Sequence, residues 1–289
     1  RTFSVNYAIL ITEYYWRKTM IKLLALDMDG TLLNSKKEIP EENIVAIHKA
    51  IETGVKLVLC TGRPPFGVKP YFERLGLAQE NEYVIVDNGC AIHQTSDWTV
   101  IDWVALNTED IHYLYDLTKN RPIQLTLFDE EHYFVVGEAP SPIVVRDTGY
   151  VFTTPTVISI EEATSGKFTM FQAMFLGEKE VVDSFEADFS TEICRRFSGV
   201  RSQDVIYEVM PAGVTKAFAL EKLAKKLGIP SEDIMALGDA NNDLEMLKFS
   251  GIGIAMGNAS DYVKSLADDV TDSNDKNGVA KAIEKYLLN

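Results

Sequence analysis

Basic residues are scarce in this chain: 28 lysines and arginines stand against 43 aspartates and glutamates, a formal charge of −15 over 289 residues. A field of that sign repels phosphate backbones and anionic lipid, so neither nucleic acid nor a membrane surface is expected as a partner. A small anionic substrate stays open, because local cations and a bound metal override a distant field. Cysteine is scarcer still. Cys60, Cys90 and Cys194 are widely spaced, odd in number and form no CxxC pair, which argues against a disulfide framework or a zinc site and fits a reducing, cytoplasmic location. His48, His93, His112 and His132 show no HExxH spacing and read as scattered surface or half-buried residues. No GxGxxG follows a strand, which disfavours a hydride-transfer dehydrogenase. Long apolar runs are missing as well. Residues 1–19 are too short in apolar length for a membrane span and lack the core and cleavage site of a signal peptide. They read as a non-native or upstream-translated extension before Met20; the alternative is an aromatic docking segment built on Tyr14, Tyr15 and Trp16.

With 46% hydrophobic residues the chain can bury a sizeable core. From Met20, apolar runs such as IKLLALD, VKLVLC and EYVIVDNG alternate with helical patterns, one opening at Pro40 with Ile44, Ile47 and Ile51 on one face, another running from Pro64 and Pro65 to Gly76. Strands apolar on both faces, in strict alternation with helices, predict an α/β fold with a Rossmann-like parallel sheet covered on both sides. After about residue 91 the pattern changes to a helix near 108–119, half-exposed strands such as IQLTLF and HYFVVG, and a helix near 178–195, an α+β insert. The first pattern resumes with a helix over Thr215–Leu227, the strand DIMALGD, the strand GIGIAM and a last helix. The expected organisation is therefore a core from residues 20–90 and 206–289, with a lid-like cap from 91–205.

Ligands of open parallel sheets bind beyond the carboxyl ends of the strands. Every polar cluster of note lies there: Asp27, Asp29, Gly30 and Thr31 after the first strand, Thr61, Gly62 and Arg63 after the second, and Asp239, Asn242 and Asp243 after DIMALG. Two carboxylates as close in sequence as Asp27 and Asp29 repel, and a hard divalent cation such as magnesium, which accepts a few carboxylates and keeps its other positions for water or phosphate, would offset that cost. Each cluster taken singly also reads as ordinary structure. Asp27 and Asp29 can be a solvated turn, Thr61 and Arg63 a helix start, and Asp239 and Asp243 a helix cap. A cation in the first turn of a helix, as Lys216 is, opposes the dipole and hints at an anion nearby.

DMDGT at 27–31, CTGR at 60–63, Lys216 within GVTKAFAL, and GDANNDLEML at 238–247 resemble the four ordered motifs of the haloacid dehalogenase superfamily of phosphotransferases. The insert resembles the large C2-type cap of the Cof branch, and AIEKYLLN at the end is similar to sugar phosphatases of the YidA type; the likeness spans Met20–Asn289. It implies a magnesium-dependent phosphoric monoester hydrolase acting on small phosphorylated metabolites, sugar phosphates foremost. Asp27 would be the nucleophile that becomes an aspartyl-phosphate, and Asp29 the general acid and base, protonated at the start. The metal would be held by the side chains of Asp27 and Asp239 and the backbone carbonyl of Asp29, with Asp243 a ligand either directly or through a neighbour. The Thr61 hydroxyl, the Met28 and Gly62 amides, Lys216 and Asn242 would cradle the phosphoryl oxygens. Arg63, Asn88 and Gly89 are expected at the substrate edge or hinge, and Arg121 and Arg146 are cap residues that either line the pocket or stay solvated. Ala217 and Ala240 stand where relatives commonly carry glycine and asparagine. The alternatives are a phosphatase of nucleotide or cofactor phosphates such as pyridoxal phosphate or flavin mononucleotide, a phosphomutase, and, more remotely, a non-catalytic metabolite sensor. A monomer and a homodimer are equally compatible with the sequence.

Overall fold

The computed structural model describes residues 21–77 and 81–288, so the expectations placed on residues 1–19 lie outside the described residues. Two sheets organise these residues. The first has eight strands in the order β14-β13-β12-β1-β2-β3-β4-β5: β1 Leu23–Leu26, β2 Lys56–Cys60, β3 Tyr83–Val86, β4 Ala91–Gln94, β5 Val100–Trp103, β12 Ile234–Gly238, β13 Ile252–Ala255 and β14 Asp269–Val270. From β14 through β3 the pairing is parallel throughout.

The period of two along β1 divides the core cleanly. Leu24 and Leu26 point into one apolar layer with Ile44, Ile47, Val68, Phe72, Val279 and Ile283. These come from helices α1 (Glu41–Glu52), α2 (Pro65–Leu75) and α9 (Gly278–Tyr286). Leu23 and Ala25 point into the opposite layer with Leu220, Leu223, Met246 and Val263, from α6 (Lys216–Leu227), α7 (Leu244–Phe249) and α8 (Asp261–Leu266). Helices thus cover both faces, which is why the strands read as unbroken apolar runs. Pro40 precedes α1 and a left-handed Gly76 ends α2, as their sequences predict.

The second sheet has six strands in the order β10-β11-β9-β6-β7-β8: β6 Gln124–Phe128, β7 Tyr133–Val136, β8 Thr156–Ile158, β9 Gln172–Leu176, β10 Phe197–Gln203 and β11 Ile206–Pro211. One face packs Leu125, Leu127, Phe175 and Val209 against Ile111, Leu114, Val182 and Phe185. Those four belong to α3 (Thr108–Asp116), which opens with an Asn107 capping box, and to α5 (Lys179–Arg196). On the other face Phe128, Tyr133, Met174 and Ile206 meet Val144 and Val151, from and just beyond α4 (Pro142–Tyr150), and Phe66 of the first unit.

The sheets do not break where the sequence pattern changes. The stretch 91–103 stays in the first sheet: after a tight turn at Asp87–Gly89, β4 pairs antiparallel with β3, and β5 with β4. A hairpin ends the strand–helix alternation without leaving the sheet, so the boundary expected at 91 moves to just beyond Trp103. At the far end Ile206–Pro211 pairs antiparallel with β9 and β10, so the boundary expected at 205 moves beyond Pro211. No described helix is long and apolar enough to cross a membrane.

Candidate active site

β12, β1 and β2 are adjacent and parallel, so their carboxyl ends open on one crevice, and the second sheet roofs it. The cavity between them measures about 380 Å³. Its floor carries Asp27, Asp29, Thr61, Gly62, Asp239 and Asn242. The ordered clusters of the sequence are brought together there.

Asp27, Asp239 and Asp243 each offer an oxygen within 4.8 Å of the others. Lys216, 1% exposed at the first position of α6, donates to Asp27 Oδ1 at 2.6 Å and to Asp243 Oδ1 at 2.7 Å. Burial would lower its ammonium, but Asp243 and Asp27 more than offset this and hold it above its ordinary value. Burial and then Asp243 push Asp27 up, against the pull of Lys216; burial and Asp243 likewise push Asp239 up to about 7. The three carboxylates face one contacting ammonium, so the cluster is two positive charges short. That deficit and the all-oxygen donor set fit a divalent cation such as magnesium. The second oxygen of Asp243 accepts from the Asp239 and Ala240 amides, both at 3.0 Å, which ties that carboxylate to the turn after β12. Gly30 makes room for the cluster: at φ +83°, a Cβ there would stand 2.3 Å from Asp239 Oδ2.

Asp29 differs from its expected state. Its side chain turns away from the cluster to Arg63, which grips it with Nε at 2.6 Å and Nη2 at 2.8 Å, and to Lys37 Nζ at 2.7 Å. Burial alone would raise its carboxyl, but the Arg63 fork and then Lys37 hold it well below the usual carboxylate range. The protonated starting form expected from crowding among acids is therefore replaced by an ion-paired carboxylate. Lys37 was not foreseen, since it sits in a polar loop beside an equally plausible Lys36. Arg63 also donates to the Tyr150 carbonyl of the second unit.

The other expected residues divide. Thr61 is buried, its hydroxyl accepting from the Arg63 amide at 3.1 Å. Asn242 donates to Asn88 at 2.9 Å, and Asn88 donates to Gln172 at 2.9 Å and Glu208 at 2.8 Å, joining the floor to the roof. Lys216 and Asn88 line a second cavity, of about 280 Å³, behind Asn242. The Met28 side chain packs into the core, which leaves only its backbone for the site. Gly89 lines neither cavity but presses on the start of α6. Arg121 pairs with Asp188 away from the main cavity, and Arg146 lines a separate, smaller one. The roof residues Glu208, Asp147, Ser202 and Gln203 were missed. Glu208 alone left a trace, as a lone acid inside the apolar run IYEVM.

A profile of haloacid dehalogenase-like hydrolases matches residues 24–283. The Bacillus subtilis 5-amino-6-(5-phospho-D-ribitylamino)uracil phosphatase YcsE is 34% identical over 93% of this chain and 96% of its own. The Bacillus subtilis phosphatase YwpJ is 32% identical over 93% of this chain and 100% of its own. Among solved structures, the haloacid dehalogenase subclass IIB sugar phosphatase BT4131 superposes with a TM-score of 0.80 at 25% identity, over 92% of this chain and 98% of its own.

Proposed function

The chain belongs to the haloacid dehalogenase-like hydrolases and is a phosphatase of that family, and from that premise we propose that it hydrolyses monophosphates of small polyhydroxylated metabolites, sugar phosphates foremost, through an aspartyl-phosphate on Asp27. The observation that carries this reading is the meeting of Asp27, Asp239, Asp243 and Lys216 at neighbouring strand ends beneath a roofed cavity of about 380 Å³.

Lys216 engages one oxygen of Asp27 and leaves the other to attack phosphorus in line. A P–O bond to Asp27 forms as the bond to the alcohol breaks, and Asp29 supplies the proton to the departing alkoxide. For that step Asp29, ionised while paired with Arg63 and Lys37, must be released and take up a proton from solvent before the site closes, and the incoming phosphate dianion is a rival partner for both cations. Asp29 then takes a proton from the water that attacks the aspartyl-phosphate, freeing Asp27 and inorganic phosphate. Thr61, Asn242 and Lys216, with the Met28 and Gly62 amides, hold the phosphoryl oxygens while charge shifts among them. Magnesium held by the Asp27 and Asp239 side chains and the Asp29 backbone carbonyl would neutralise charge between nucleophile and phosphate. The second unit acts as a cap that excludes water until the phosphoenzyme has formed.

A second reading, a monophosphate whose alcohol carries an aromatic heterocycle, has support from Phe128 and Tyr150 on the cavity wall and from the activity in the name of YcsE. Comparing kcat/KM for sugar and flavin-type monophosphates ranks the two, and release of inorganic phosphate rather than an isomeric ester separates hydrolase from mutase. Phosphate release from a metabolite panel is expected with magnesium and absent after chelation. Asp27→Asn is expected to cut the rate by roughly 10⁴-fold or more; parent-level hydrolysis in that variant would remove Asp27 as the nucleophile.

A further inference from the structure

Small phosphate monoesters differ most in the charge of their alcohol half, and the roof of this cavity is acidic. Glu208, 5% exposed, shares the cavity face of β11 with Ile206, while Tyr207 and Val209 point into the opposite layer. Asp147 approaches from α4, its Oδ2 accepting from the Tyr133 hydroxyl at 2.8 Å. The Ser202 hydroxyl, a buried donor, lines the same wall. No described cation forms an ion pair with Glu208 or Asp147. Lys37 and Arg63, the two basic residues on the wall, are bound to Asp29, and Lys216 to Asp27 and Asp243.

Resting on the phosphatase reading above, we propose that the enzyme selects substrates by the charge of the leaving alcohol. Neutral polyols and amine-bearing alcohols are accepted, a second anionic group is rejected, and Glu208 and Asp147 make the distinction. A carboxylate or second phosphate in the roof meets like charge, while Lys37 and Arg63 on the wall are taken by Asp29 or by the phosphoryl group, a contact that works against binding. Glu208 accepts from Asn88 and Asp147 from the Tyr133 hydroxyl, and a carboxylate takes further donors, which a substrate hydroxyl or ammonium supplies. Burial pushes Glu208 up to about 7 and also raises Asp147, so the roof repels an anion most above that pH, and the comparison is made at about pH 8. Volume adds a second restriction, since about 380 Å³ is near the lower end of small-molecule sites and leaves little space to keep a second anion away from either acid.

The test uses matched probes with the full chain and magnesium: sorbitol 6-phosphate against 6-phosphogluconate, which differ by a hydroxymethyl and a carboxylate, and glucose 6-phosphate against glucosamine 6-phosphate. Phosphate release is followed for each, with p-nitrophenyl phosphate as a probe that lacks a polyol. The carboxylate probe is expected to have a kcat/KM lower by about ten-fold or more, mainly through KM, and the amine probe to match or exceed its neutral partner. In Asp147→Asn and in Glu208→Gln the neutral-to-anion ratio is expected to fall several-fold. A ratio taken on one preparation does not depend on how much of it is folded, so a weakly folding variant still reports. Equal turnover of the sorbitol and gluconate esters, or an unchanged ratio in both variants, overturns the inference while leaving the phosphatase reading in place. Failure of every probe, p-nitrophenyl phosphate included, overturns that reading and the inference with it.

Discussion

Lys216 is the residue on which the charge of the site turns. It is 1% exposed and contacts two carboxylates, so its removal strands Asp27 and Asp243 in a low-dielectric interior with Asp239 beside them. Breaking one partner out of a buried ion pair costs about 3–5 kcal/mol, because the penalty is that of the charge left behind. Lys216→Met is therefore expected to lower the urea-unfolding free energy by about that amount in the absence of divalent ions, with phosphate release lost as well. Added magnesium should restore part of the stability, since it answers the same uncompensated charge; an unchanged unfolding midpoint would refute this account. The meeting of these residues was legible because they occupy fixed places in short motifs. Their electrostatic state was not. Crowding predicted a protonated Asp29, and the outcome depends on where Arg63 and Lys37 point, which spacing does not encode.

Turns and strand ends, more than single contacts, fix where those residues sit. The turn after β3 has three consecutive residues with positive φ, Asp87 at 50°, Asn88 at 53° and Gly89 at 103°. It sets Asn88 between Asn242 and Glu208 and lays Gly89 against the first residues of α6. A Cβ on Gly89 would stand 2.2 Å from the Thr215 carbonyl oxygen, directly before Lys216. Gly89→Ala is thus expected to cost about 1–3 kcal/mol in urea unfolding and to reduce kcat more than KM, because the start of α6 must shift and Lys216 with it. A variant with parent stability and parent kcat would show that the contact is relaxed without moving Lys216. The parallel core was readable from its doubly apolar strands and from the helix stop at Gly76. The cap boundaries were not, because short antiparallel strands occur on both sides of the boundary: those at 91–103 extend the first sheet, while Gln124–Phe128 and Tyr133–Val136 of the insert, expected to be half-exposed, are buried almost throughout between helices on both faces of their sheet. IYEVMP misled in the opposite sense: buried along its length, it reads like a core strand and yet belongs to the roof.

Across the whole molecule, a net charge of −15 makes the gathering of three carboxylates at one crevice costly, and without a metal that cost favours the protonated form of Asp27 and Asp239. Asp239 shows the direction: its carboxyl is raised to about 7 by burial and then by Asp243, above the 3.8 of an unfolded chain. A raised acid keeps its full contribution to stability below the unfolded value and loses it as pH climbs toward the folded one, so the metal-free fold weakens between about 3.8 and 7. Magnesium competes with that same proton. Its affinity should accordingly fall as pH drops below about 7, by up to about ten-fold per unit where one proton is displaced. At a concentration about 100 times Kd the ion adds about 2.7 kcal/mol, roughly 4–5 °C in melting temperature for a chain of this length. Melting curves at one fixed magnesium concentration are expected to show a larger rise at pH 8 than at pH 6, with the rise abolished by chelation and much reduced in Asp239→Asn. The reverse order, or equal rises at both pH values, would mean that Asp239 is not where ion and proton compete.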